Sequence, residues 1–264
     1  MFLSEEEPQK VDNMFLTKDD LKLSYGVELT IGKAYVDRAV PKDNLYWKGR
    51  TIYVPGASGY IFMPIYADLL RRSGATVSFL LSEAYFSINE SILHSAALLE
   101  HQKIDWPTHV QECISMVAPH VTRIKLFEEL KQYLLAQKPV KSTASRLGTD
   151  FPSLNRADSY LLSLACIPDE TFDEQKALDG WYAMITYFLL MDDLADIRDD
   201  LLSGEENAIV EAGLNRDGID KIERMMNAGI DKLNLINPVL SNRIEHKKSL
   251  IDIPQLVESI RRSL

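Results

Sequence analysis

The stretch TFDEQKALDGWYAMITYFLLMDDLADIRDDLLSG, residues 171–204, contains no proline, has Gly180 as its one internal glycine and closes on Ser203-Gly204. Thr171-Phe-Asp-Glu174 matches a capping box, in which the Thr hydroxyl and the Glu carboxylate each satisfy an orphan backbone donor, so a helix is predicted to start there. Run to Ser203, it has about 30 residues and a length of about 45 Å. Trp181 to Met191 is apolar around nearly the full helical circumference. Such a segment is buried on all sides, which predicts a central helix over 171–203.

The flanking chain carries helix punctuation on both sides. Ala57–Arg72 places Ile61, Ile65 and Leu69 at helical spacing and stops at Ser73-Gly74. Ser82–His101 reads as a helix. Asp105-Trp106-Pro107 supplies a cap and a first-turn proline for a helix reaching Ala118, and Pro119 ends it. Val121–Gln137 is amphipathic, with Leu126, Leu130, Tyr133 and Leu134 on one face. Residues 138–153 form a polar connection, Asn155 caps a helix that Pro168 terminates, Asp217–Leu235 forms another, and Pro238 and Pro254 open two more. Residues 1–50 read as an irregular or short-helical lead-in. The expected fold is therefore all-α, a single-domain helical bundle over residues 1–264.

A competing α/β reading rests on Thr51-Ile-Tyr-Val-Pro-Gly56-Ala-Ser-Gly59, a helix, and Gly74–Leu81 as a second strand. That order resembles the opening of a Rossmann dinucleotide site, with Glu83 as the ribose acid. The full glycine fingerprint is absent, and no further strand and helix units follow.

With 264 residues, 46% of them hydrophobic, the chain can bury a core without disulfides or a structural metal. Cys113 and Cys166 lie among apolar residues and read as reduced core thiols, which suits the cytoplasm. The opening MFLSEEEPQK lacks the basic and apolar regions of a secretory signal. No apolar run approaches the roughly 20 residues of a membrane helix. A net charge of −10 argues against nucleic acid as a partner. Five histidines without HExxH spacing give no zinc site.

Acidity is concentrated in residues 150–206, where 14 acidic side chains face Arg156, Lys176 and Arg198. Asp192, Asp193, Asp196, Asp199 and Asp200 crowd one helix end, and at 100° per residue Asp192, Asp196, Asp199 and Asp200 fall on or near one face. Two such charges about 6 Å apart repel by roughly 3 kcal/mol at an effective dielectric of 20. The helix dipole also disfavours acid at a C-terminus. A cation would relieve both, and hard divalent ions prefer carboxylate oxygen. A solvated acidic helix end relieved by Arg198 accounts for the same pattern.

The string Tyr187-Phe-Leu-Leu-Met-Asp-Asp-Leu-Ala-Asp196 resembles the DDxxD helix of class I terpenoid synthases and trans-isoprenyl diphosphate synthases. Phe188 matches the Phe of the FQxxDD segment while Leu189 replaces its Gln. Arg156-Ala-Asp-Ser-Tyr-Leu-Leu resembles the family's Lys-Thr helix, with Arg in place of Lys. These similarities cover roughly residues 155–204. Ala67-Asp68-Leu-Leu-Arg71-Arg72 offers the arginine pair of a first motif without its aspartates, and the Gly-Lys after the second motif is missing.

The resemblance implies a terpenoid-synthase-like helical fold and Mg²⁺-dependent chemistry on an isoprenoid diphosphate, by prenyl transfer or terpene synthesis through an allylic carbocation. It implies Asp192, Asp193 and Asp196 as catalytic metal ligands, Asp200 as an auxiliary ligand, Arg156 as a diphosphate contact, and Tyr187 and Phe188 as substrate-binding aromatics. Lys48, Arg50, Arg71, Arg72 and Arg146 are further candidate cations. The partners expected are the isoprenoid diphosphate and a second chain in a homodimer. The incomplete motif set also suits a non-catalytic helical binding protein that retains the fold.

Overall fold

The 30-residue helix Glu174–Ser203 is the axis of the molecule. Its start lies two residues beyond the expected box: the Asp173 carboxylate, not the Thr171 hydroxyl, accepts the backbone N–H of Lys176 at 3.0 Å. Its end falls where the sequence puts it. Gly204 adopts φ 75° and donates to the Asp200 carbonyl at 2.8 Å, a left-handed stop that glycine takes without a Cβ penalty.

The computed structural model describes residues 18–38, 62–136 and 145–262. In chain order its helices are α1 (Lys18–Tyr25), α2 (Leu29–Asp37), α3 (Phe62–Arg72), α4 (Val77–Leu80), α5 (Glu83–Glu100), α6 (Trp106–Val117), α7 (Ile124–Leu134), the long α8 (Glu174–Ser203), α9 (Ala208–Ala212), α10 (Arg216–Ile236), α11 (Pro238–Ser249) and α12 (Ile253–Arg261). Three 3-10 segments, Ala118–His120, Pro152–Asn155 and Asp158–Cys166, complete the order. The described residues contain no strand, so the fold is all-α. None of the described helices is long and apolar enough to cross a membrane.

Two buried clusters meet on α8. Its first half inserts Ala177, Leu178, Trp181 and Met184 into a large core with Leu21, Ile65, Leu69, Val110, Leu130 and Leu240. Its second half puts Leu190, Leu194 and Ile197 into a smaller cluster with α9, α10 and α12, through Ile209, Met226 and Val257. The α9–α10 connection is tight. A Cβ on Gly218 would lie 2.1 Å from the Gly213 carbonyl oxygen, so only glycine fits.

Several sequence expectations need correction. Gly74–Leu81 is not a strand: it forms a turn and the short α4, because Ala75 N–H bonds back to Leu70 O and Ser82 caps α5. The second strand of the α/β reading is therefore absent, and Gly56 and Gly59 lie outside the described residues. Glu83 opens α5 and pairs with Arg38 at 3.1 Å. Asn155 does not cap the helix expected after it, which is the 3-10 segment Asp158–Cys166. The Asn155 amide instead holds Thr149, accepting from Thr149 N at 2.8 Å and Thr149 Oγ1 at 2.9 Å. Helix α7 begins later than Val121 because Thr122 and Arg123 direct their N–H groups to Ala165 O. Within the lead-in, residues 18–38 form α1 and α2.

Candidate functional site

The second half of α8 fixes which aspartate faces which way. Leu190, Leu194 and Ile197 define its buried stripe, and Asp193 lies in that stripe at i+3 from Leu190. Asp193 is 2% exposed, whereas the Asp192 side chain is 68% exposed and Asp196 and Asp199 face solvent. Asp200 is half-buried. The shared face exists as the 100° spacing predicts, but its Asp192, Asp196 and Asp199 point to solvent, and Asp200 at its edge turns toward α9.

Asp193 is fully committed inside the protein. One oxygen accepts Arg156 Nη2 at 2.9 Å, the other accepts the Ala208 N–H at 2.8 Å, and its carbonyl accepts Asn207 Nδ2 at 2.7 Å. Burial raises its pKa above the usual carboxylate value, against the pull of Arg156 and the Ala208 amide. Asn207 also donates to Asp200 at 2.8 Å and caps α9 through Ile209 N–H and Val210 N–H. Asp193 and Asp200 thus lock α9 against the end of α8. Partial desolvation, followed by the charges of Asp192, Asp200 and Asp199, raises the pKa of exposed Asp196.

The cations are likewise engaged. Arg156 donates to Ser153 O at 2.9 Å and reaches Asp192 at 3.3 Å as well as Asp193. Arg71 and Arg72 bind the fully buried Asp68 at 2.9 and 2.6 Å, and Arg72 continues to Gly26 O, clamping the α1–α2 turn onto α3. Arg146 joins Glu129 to Glu174. Lys48 and Arg50 lie outside the described residues. Tyr187 packs against both apolar clusters and Phe188 against the larger one, the two rings edge-on at 5.5 Å.

A magnesium ion takes its protein ligands from carboxylate oxygens left free to face it together. Among the described residues no three His, Cys, Asp or Glu side chains converge as metal ligands. Asp192 and Asp196 remain open to solvent, but Asp193 has both oxygens engaged, so the described residues do not form the three-aspartate set that the resemblance implies.

Two buried polar networks escaped the sequence reading. Asp158, fully buried, accepts Trp181 Nε1 at 2.8 Å, Tyr133 OH at 2.6 Å and Tyr182 OH at 3.0 Å, and burial pushes its pKa up to about 6 despite these three donors. Between α5 and α6, Ser95 Oγ donates to Glu112 at 2.7 Å and lies 2.9 Å from His109 Nδ1. The serine proton is already directed to the carboxylate, so His109 donates to Ser95 and cannot act as its base. Cys113 Sγ sits 3.7 Å from the same nitrogen, but burial pushes its thiol up to about 12 and His109 down to about 4. Neutral His109 and the protonated Cys113 thiol thus contribute to packing, with no activated nucleophile. Cys113 and Cys166 are both free and buried.

Compared with protein-family models, curated proteins and solved structures, the chain matches none at a significant level.

Proposed function

We propose that this chain is a non-catalytic helical binding protein in which α8 serves as scaffold. One observation carries the reading: Asp193, the middle member of the implied ligand set, is buried and saturated by Arg156 and the Ala208 amide, while Asp192, Asp196 and Asp199 face solvent. Ionising an allylic diphosphate requires carboxylates and cations gathered beside an enclosed apolar space. The cations Arg71, Arg72 and Arg146 are held by acids elsewhere. Buried, reduced Cys113 and Cys166 suit a cytoplasmic protein.

A second reading is favoured by Arg156. It stands beside Asp192 and Asp193, where a class I terpenoid synthase-like fold would hold the diphosphate contact. Under that reading Mg²⁺ and an isoprenoid diphosphate bind at the Asp192–Asp196 face. Thermal unfolding with Mg²⁺, with inorganic diphosphate and with both separates the two, because native-state binding raises stability by mass action. The scaffold reading predicts no joint effect. Joint stabilisation abolished by Asp192→Asn/Asp196→Asn establishes the second.

A further inference from the structure

Four of the eight large apolar side chains exposed among the described residues gather at one place in the fold. Leu23 on α1 and Leu235 on α10 are 75% and 84% exposed, and Leu29 at the start of α2 and Val239 in the first turn of α11 are exposed as well. A single exposed leucine needs no explanation, whereas a cluster marks a surface that meets something apolar.

Direct contacts join the two turns that carry them. Asn237, between α10 and α11, donates from Nδ2 to Tyr25 O at 2.9 Å, and Arg72 reaches from α3 to Gly26 O at 2.9 Å and to Ile236 O at 3.3 Å. The approach is so close that a Cβ on Gly26 would lie 2.9 Å from Val239 Cβ. Leu23 and Leu29 are each three residues from Gly26, and Leu235 and Val239 each two from Asn237. All four therefore stand within about 11 Å of the junction. Because both turns are hydrogen-bonded in place, the surface is preformed and little ordering is needed to dock against it.

Charge selects the occupant. Asp19, Asp20 and Lys22 flank Leu23, and Glu28 and Lys33 flank Leu29. Asp231, Lys232 and Arg243 flank the other pair, which makes four acids and four bases within four residues of these positions. The face is locally neutral on a chain of net charge −10. The solvent-facing run Asp192, Asp196 and Asp199 lies further along α8. Gly180 packs beside Ile236, its added Cβ 3.7 Å from Ile236 Cδ1. Asp192 is 12 residues beyond Gly180, roughly 18 Å at the standard rise and more than twice the Debye length of about 8 Å at physiological salt. A basic partner would be drawn to those acids and not to this face. A second copy carries the same −10 and meets least repulsion where charge is balanced, and in a two-fold contact a rim of equal acids and bases can complement itself.

We propose that the α1–α2 and α10–α11 turns form a homodimer interface, in which Leu23, Leu29, Leu235 and Val239 of one copy pack against the same face of a second. The contact does not depend on either reading of the acidic face. A patch of this size makes a weak dimer, whose population follows protein concentration.

Sedimentation velocity of the full chain from about 1 to about 200 μM tests the interface. The wild type shifts from monomer to dimer over this range. Leu23→Gln/Leu235→Gln changes two exposed positions to another helix-favouring residue, so its far-UV circular dichroism is unchanged while its dissociation constant rises at least about tenfold. Should the double variant lose helical signal, Leu235→Gln alone repeats the test at the most exposed of the four positions. Leu202→Gln, at an exposed leucine of α8 outside the junction, leaves the dissociation constant unchanged within about twofold. A wild type that stays monomeric throughout overturns the proposal and leaves the patch to a different partner. A dimer that the junction variants do not weaken, or that Leu202→Gln weakens as much, also overturns it.

Discussion

Arg156 and Asp193 stand 37 residues apart in the chain and meet at 2.9 Å, the carboxylate 2% exposed and the guanidinium 29% exposed. Removing one partner of such a pair strands a buried charge. Arg156→Met should therefore cost about 3 kcal/mol at pH 7 by urea unfolding. Burial already raises the pKa of Asp193, and the loss of Arg156 raises it further, so the carboxylate is neutral at acid pH in the variant. A group with a raised folded pKa loses stability as pH rises, so the cost should shrink at pH 4. Adding Asp193→Asn should recover much of the loss at pH 7.

The solvent-facing aspartates should behave in the opposite way. Asp192→Asn and Asp196→Asn should each change stability by no more than about 0.5 kcal/mol. Together they should be neutral or slightly stabilising at low salt, because they remove two of the like charges that repel one another along one helix face. Urea midpoints at low and high salt check this, and the gain should vanish at high salt.

His109 and Asp158 act against each other as pH changes. His109 is lowered from 6.5 to about 4 by burial, so its contribution is complete above pH 6.5 and is lost as pH falls toward 4. Asp158 is raised from 3.8 to about 6 by burial, so its contribution is complete below pH 3.8 and is lost as pH rises through 6. Each shift corresponds to roughly 3 kcal/mol at most. Relative to wild type, Asp158→Asn should gain stability from pH 4 to 6, and His109→Gln should lose it over the same range. Unfolding midpoints across pH 4–7 read both slopes.

How much of this was written in the chain depends on the kind of signal. Local punctuation was legible: Gly204, Asp105 with Pro107, and Pro238 and Pro254 mark the ends the structure uses. The rotational phase of α8 was harder, because Trp181–Met191 is apolar all round and sets no direction. The decisive signal was the run Leu190, Asp193, Leu194, Ile197 at helical spacing, which places Asp193 on the buried side. Reading the acids alone finds the correct common face and leaves open which side of the helix it occupies. Asp158 and Asp68 were not legible, since their partners come from Tyr133, Trp181, Tyr182 and Glu28 across the fold as well as from neighbours. The same holds for the 3-10 form of Asp158–Cys166, where tertiary burial of all nine residues overrides the local helical pattern.

Two glycines should separate backbone strain from steric exclusion. Gly204 has φ 75° with nothing within 4 Å of an added Cβ, so Gly204→Ala should cost about 1 kcal/mol, the left-handed penalty alone. Gly218→Ala would push a methyl to 2.1 Å from Gly213 O and 2.4 Å from Ala212 O, and should cost more than about 2 kcal/mol. Denaturant unfolding of both variants ranks them.

The aspartate helix holds the fold together through Asp193 and presents Asp192, Asp196 and Asp199 to solvent. Thermal unfolding of the wild-type chain in Mg²⁺ and inorganic diphosphate together is the decisive check. The transition should be the same as in buffer with either component alone. A saturable rise that needs both, and that disappears in Asp192→Asn/Asp196→Asn, would contradict it.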